Sequence, residues 1–203
     1  MIKRYALIIL KILFKEIYQK RYINQPVALK HYFFQKVLSV NRDCYWPVDW
    51  RSTVIGAEFI LVGAGSAPGY SQGNYIVASL GSPITVGDYT VMGPNVILPG
   101  RNHNIYDHSI HDDGGISVGN FCWIGANAVI LPNVTLGDHV VVGAGSVVTK
   151  SFQRGYVVIG GNPARVIKHL DKGLCVERRD KHEYHGFIPK ENFSLFRKKN
   201  LKV

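Results

Sequence analysis

The chain has 203 residues, 46% hydrophobic and 19% charged, with a formal net charge of +10. That balance excludes a disordered chain and leaves enough apolar side chain for one buried core with extensions. The 21 glycines favour many tight corners over a helical bundle, and Cys44, Cys122 and Cys175 share no spacing that would make a disulfide framework or a metal-binding pair.

The charge is concentrated at the start. Residues 1–42 hold Lys3, Arg4, Lys11, Lys15, Lys20, Arg21, Lys30, Lys36 and Arg42 against one acid, Glu16. Such an end attracts an anionic membrane surface, a nucleic acid or a phosphorylated ligand. No nucleic-acid recognition motif accompanies it, so a nucleic-acid partner is not expected. The apolar stretch from Tyr5 to Phe14 is interrupted by Lys11, is too short to span a bilayer and lacks a small-residue cleavage site. Over residues 2–18 the spacing predicts an amphipathic helix with Arg4, Lys11 and Lys15 on one face. It could lie on a membrane or dock on the rest of the protein. The expected location is the cytoplasm, with peripheral contact at the inner face of the membrane as an option. Residues 1–50 read as a basic helical extension.

A six-residue rhythm follows. It is faint at Ile55-Gly56 and Val62-Gly63, then crosses an irregular stretch from Ala67 to Pro83 that holds Pro68-Gly69-Tyr70 and Gly73-Asn74-Tyr75. It strengthens at Val86, Met92 and Leu98, with Gly87 and Gly93 behind the first two. From Val118 it runs without a slip through Ile124, Ile130, Leu136, Val142 and Val148, with Gly119, Gly125, Gly137 and Gly143 behind four of them. A period of six fits neither an amphipathic helix nor a hairpin. It suits a short strand ending in a corner, and three such hexads close a triangular coil. Stacked coils predict an all-β parallel β-helix over residues 51–168. Residues three hexads apart then share a corner: Gly125 over Gly143, Ala126 over Ala144, and Asn162 next in the column beyond Ala144. This strip of small residues predicts a shallow groove in which a long thin ligand could lie along exposed backbone.

The rhythm breaks between Leu98 and Val118, where about 14 extra residues leave the coil. The resulting loop, 99–115, is polar and carries His103, His108 and His111. A histidine at a cleft edge suits a general base acting on a hydroxyl that attacks an activated acyl group. Backbone N–H groups at the coil corners could hold the oxyanion. The same histidines also allow a zinc reading, but His108 and His111 fall in the ejected loop and no metal is expected. Beyond Val148, Gly160-Gly161-Asn162-Pro163-Ala164-Arg165 ends the winding, and residues 169–203 read as a helical or irregular tail.

Four segments in this order carry a specific resemblance: Asn102-His103; Cys122-Trp123-Ile124-Gly125-Ala126-Asn127; Val142-Gly143-Ala144-Gly145-Ser146-Val147-Val148-Thr149-Lys150; and Gly161-Asn162-Pro163-Ala164-Arg165. Over residues 54–170 the chain resembles the hexapeptide-repeat acyltransferases, in the branch of the galactoside and maltose acetyltransferases and the bacterial polysaccharide O-acetyltransferases. The resemblance implies a left-handed β-helix, an exception to the usual right-handed crossover. It also implies a homotrimer with active sites between subunits and acetyl-CoA as co-substrate. By the same resemblance His103 matches the catalytic base. Trp123, Gly125, Ala126 and Ala144 match positions along the pantetheine arm. Thr149, Lys150, Arg165 and Lys168 match positions near the nucleotide end, where cations face phosphates. Asn74, with Tyr75 beside it, falls near an acceptor-binding asparagine. The short loop after His103 and the basic, aromatic-rich start look more like the polysaccharide-modifying branch. The expected function is therefore acetyl transfer to a sugar hydroxyl of a bacterial surface polysaccharide precursor, capsule or lipopolysaccharide. The rivals are a zinc enzyme of the γ-carbonic-anhydrase type and a non-catalytic solenoid scaffold.

Overall fold

A computed structural model describes residues 25–203. The amphipathic helix expected over residues 2–18, and its choice between membrane and protein, lie outside the described residues. Among the described residues no helix is long and apolar enough to cross a membrane.

The chain winds as a parallel β-helix of five coils. Coil one holds β1 (Thr53–Ile55) and β2 (Ile60–Val62). Coil two holds β3 (Tyr75–Val77), β4 (Ile84–Val86) and β5 (Val91–Met92). Coil three begins with β6 (Ile97–Pro99). It ejects the strand pair β7 (Asn102–His103) and β8 (His111–Asp112), then resumes with β9 (Ile116–Val118) and β10 (Trp123–Ile124). Coil four is β11 (Val129–Ile130), β12 (Val134–Leu136) and β13 (Val140–Val142). Coil five is β14 (Val147–Val148) and β15 (Val157–Gly160), after which β16 (Arg165–His169) turns back antiparallel to β15. The strands stack into three faces: β1-β3-β6-β11-β14, then β2-β4-β9-β12, then β5-β10-β13-β15-β16.

The strand register accounts for the rhythm in the sequence. Val129 pairs with Val147 and Trp123 with Val141, each three hexads on. Across the break, Ile84 pairs with Ile116 and Val91 with Trp123, a separation of one coil plus the ejected loop. The six aliphatics from Val118 to Val148 each expose 1% or less, and burying each contributes about 1.5–3 kcal/mol. The last coil is one residue short, because Val142 pairs with Ile159 where three full hexads would have brought Gly160. Gly161, not Asn162, therefore continues the column above Ala144.

Corners need a left-handed residue, and two solutions recur. Asn95 and Asn127 take it at one corner, at φ 56° and 59°, linked Nδ2 to Oδ1 at 3.1 Å. At another, Tyr89, Phe121, His139 and Tyr156 all sit at φ 52–54° and stack ring on ring. Stacking offsets the backbone strain that such bulky residues otherwise carry there.

The open end of coil one is closed by residues 25–52. A short helix, α1 (Leu29–Tyr32), runs on as a π-turn over Phe33–Val37. Trp46 is fully buried and donates Nε1–H to the Pro68 carbonyl at 2.6 Å. Gln35, also fully buried, donates to the Trp46 carbonyl and accepts from the Val48 N–H. The C-terminal part returns to the same end through β17 (Tyr184–His185), β18 (Ile188–Pro189) and α2 (Lys190–Asn200), which sets Phe193 and Phe196 against Tyr45.

His31 makes this cap sensitive to acid. Its Nδ1 accepts the Ala28 N–H at 3.0 Å, and the ring packs on Tyr70. Burial, helped by the neighbouring charge of Lys30 and opposed by Asp49, lowers its pKa from 6.5 to about 4. A depressed histidine pKa means that the unfolded chain binds the proton more tightly. The stability contributed by neutral His31 is complete above pH 6.5 and is lost as pH falls toward about 4. Melting temperature should therefore drop across that window, and His31→Gln should flatten the drop.

Candidate active site

The ejected loop is rooted firmly. The Gly115 N–H donates to the Gly100 carbonyl at 2.7 Å, and the Gly100 N–H to the Val77 carbonyl at 2.7 Å. Buried Ser82 donates its hydroxyl to the Asp113 carboxylate and accepts the Gly114 N–H, both at 3.1 Å. Above this root β7 and β8 pair antiparallel, with His103 opposite His111 and their rings 4.3 Å apart.

The tip of the hairpin orients the ring of His103. Asn104 donates Nδ2–H to Asp112 at 3.0 Å, while its Oδ1 accepts the N–H groups of Tyr106 and Asp107. Asp107 in turn accepts the backbone N–H and hydroxyl of Ser109, which holds its carboxyl below the usual range. These two side-chain turns bring the His108 carbonyl to 2.8 Å from His103 Nδ1. A carbonyl can only accept, so Nδ1 carries a hydrogen, and in the neutral ring the lone pair falls on Nε2. His111 beside it is held toward the neutral form by loss of water, then by Arg101 and His103, with Asp113 opposing. Sequence reasoning named His103 but missed its orienting groups. The Asn104-x-x-Asp107-x-Ser109 spacing is an Asx-turn signature that could have revealed them.

The small-residue strip lies elsewhere. Ala144 is exposed and Ala126 half-buried, and the Ala126 carbonyl accepts the Gly145 N–H at 2.8 Å. Gly125 is buried beneath them. A Cβ there would lie 2.6 Å from the Ala144 nitrogen and 2.7 Å from the Val142 oxygen, so this glycine lets the coils stack and offers no surface to a ligand. Thr149 and Lys150 are exposed at the corner after β14, and Arg165 and Lys168 are exposed on β16. Trp123 stands 60% exposed on the third face and lines a cleft of about 430 Å³ with Val91, Phe121 and Cys122.

Two expectations need correction. Asn74 is 1% exposed, its Oδ1 accepts the Val96 N–H at 3.0 Å, and its amide nitrogen is shut from solvent. It staples one coil to the next and does not face an acceptor; its neighbour Tyr75 is exposed, on the first face. Nor does one subunit gather His103 and the alanine strip at one groove edge. His103 leaves the corner between the first and second faces, whereas Ala126 and Ala144 occupy the corner between the third and first. The whole first face lies between, about 10 Å for a three-residue strand. The outward residues of that face include exposed Tyr75 and Ile97, which stand in register with Val129 and Val147.

Cys122 is no alternative nucleophile. Burial pushes its thiol up to about 11, and Sγ points at the Asn120 and Gly137 carbonyls. Among the described residues no group of three histidine, cysteine or acidic side chains is arranged to hold a metal ion.

The family model of the bacterial transferase hexapeptide, six repeats, matches residues 115–150, the stretch of unbroken coils. Over that stretch the chain carries the hexapeptide repeat of these transferases. Its winding is the left-handed β-helix of that family. Galactoside O-acetyltransferase of Escherichia coli (strain K12) is 41% identical over 106 residues, covering 50% of this chain and 48% of that one. Among solved structures, a maltose O-acetyltransferase from Clostridium difficile 630 is 25% identical with a TM-score of 0.54, covering 82% of this chain and 89% of the other. A galactoside acetyltransferase in complex with coenzyme A is 28% identical with a TM-score of 0.51, covering 68% of each chain. The chain spans about half the length of the curated relatives it matches.

Proposed function

We propose that the protein transfers an acetyl group from acetyl-CoA to a sugar hydroxyl, with His103 as general base. The observation that carries this reading is the bond from His103 Nδ1–H to the His108 carbonyl, which in the neutral ring leaves the lone pair on Nε2. In the reaction Nε2 removes the hydroxyl proton as the sugar oxygen attacks the thioester carbonyl. The tetrahedral oxyanion is held by backbone N–H groups at the coil corners. Collapse breaks the carbon–sulfur bond, and the imidazolium returns its proton to the departing thiolate of coenzyme A. No covalent acyl-enzyme is required, in keeping with the suppressed thiol of Cys122.

The relatives' names supply the donor and acceptor classes: one is bound to coenzyme A, and the others are galactoside and maltose O-acetyltransferases. Separation of His103 from the alanine strip supports a homotrimer in which the hairpin of one subunit meets the strip of the next. The pantetheine arm would lie along Ala126 and Ala144, past Trp123, with Thr149, Lys150, Arg165 and Lys168 toward the phosphates. The short hairpin and the basic start support an acceptor on a bacterial surface polysaccharide precursor. Catalysis is assigned to residues 51–168, with 1–50 and 169–203 as extensions.

Release of coenzyme A, assayed with galactosides, maltose and polysaccharide fragments, tests the reading. Ala144 is exposed, so Ala144→Phe should fold normally yet raise KM for acetyl-CoA about tenfold or more by filling the strip. An unchanged KM would remove the strip from the donor site.

A further inference from the structure

The cap carries a surface that acetyl transfer does not explain. Leu29, Phe33 and Val37 follow one another at helical spacing and are 53%, 51% and 68% exposed. Leu38 and Trp50, each 51% exposed, extend the patch. Its aromatic part is contiguous: Phe33 meets Phe34 edge-on, and Phe34 stacks on Trp50 at 5.5 Å. This stripe faces away from the core, which Gln35, Trp46 and Val48 close from the other side.

The exposed charges around it are mostly positive. Lys30, Lys36 and Arg42 are exposed on the same segment, against exposed Asp43. Arg51 is paired with Asp49 and lays its guanidinium over Trp50 at 5.5 Å. Residues 1–24 add six cations and a single acid. That segment would not neutralise the rim, and neither would a second copy, since each brings more positive charge. An anionic surface neutralises both while taking up the apolar stripe. Aromatic and aliphatic side chains ringed by lysine and arginine are the composition of interfacial membrane anchors.

We propose that the face formed by Leu29, Phe33, Val37, Leu38 and Trp50 docks on an anionic lipid bilayer, the side chains entering the headgroup region and Lys30, Lys36 and Arg42 facing lipid phosphates. The proposal rests on the cap alone and is independent of the acetyl-transfer reading. It brings the protein to the surface where a lipid-linked glycan would be presented.

Sedimentation of the full chain with vesicles tests it. Phosphatidylcholine vesicles containing phosphatidylglycerol should carry the protein down, vesicles of phosphatidylcholine alone should not, and raising the salt should release it. Phe33→Ser with Val37→Ser should cut the partition coefficient on the order of tenfold, with melting temperature and acetyl transfer unchanged, because both side chains are exposed. Lys30→Glu with Lys36→Glu should cut it about 25-fold or more, at about fivefold for each cation lost and further for the two anions gained. Equal binding to both vesicle types, no binding, or full binding by the serine variant would overturn the proposal. So would a concentration-dependent assembly that forms without lipid and vanishes in the serine variant, which would make the stripe a contact between copies.

Discussion

His103→Ala is expected to slow acetyl transfer by about 10²–10⁴-fold, the usual contribution of a positioned general base. The side chain is exposed on a hairpin rooted by other residues, so the variant should melt at the wild-type temperature and bind acetyl-CoA with unchanged affinity. His103→Gln sharpens the test. Glutamine can still donate to the His108 carbonyl and keep the hairpin shape, yet it cannot accept a proton at neutral pH. It should be as slow as the alanine variant. A glutamine variant with wild-type kcat would show that the ring only shapes the loop. Steady-state kinetics with separate kcat and KM distinguish these outcomes.

Trp46→Ala should produce the largest loss of stability of any single change in the cap, about 3–5 kcal/mol. The indole is fully buried, meets Tyr45 edge-on at 4.8 Å and is the donor to the Pro68 carbonyl. Its removal opens a cavity at the end of the aliphatic column and leaves that carbonyl without its partner. Total stability of an ordinary domain is only about 5–15 kcal/mol, so the loss should be visible as a much lower urea midpoint. The coils further along do not touch Trp46. Hydrogen exchange should therefore show the first two coils opening before β10 to β15 do, as expected where each repeat contacts only its neighbours.

The coils were legible because a repeat of six repeats one physical decision: an inward aliphatic, then a corner. Val118 to Val148 show it in full, and the size of the ejected loop followed from counting alone. The single-residue shortening of coil five was not visible, because Tyr156 fills the corner position that His139 fills one coil earlier, and nothing in the residue types marks the lost position. Asn74 misled for a related reason. An asparagine that bonds the next coil's backbone and one that bonds a sugar have the same side chain, and only burial separates them. His103 was singled out by its place at the break in the rhythm. Its orientation was not, since the decisive partner is a backbone carbonyl that any residue at position 108 would supply. The separation of His103 from the alanine strip depends on which corner each occupies, and that becomes plain only when coils are assigned to faces.

This separation is also where the account is most exposed to test. With acetyl-CoA well below KM, His103→Ala and Ala144→Phe should each be about tenfold or more below wild type when expressed alone. Co-expressed in equal amounts, they should form mixed assemblies in which some sites pair an intact hairpin with an intact strip from the neighbour. Random mixing in a closed ring restores about one site in four, so activity should return to about a quarter of wild type. Recovery at that level is the expected result. Mixed assemblies, verified by differential tagging, that stay no more active than their parents would contradict a site shared between subunits.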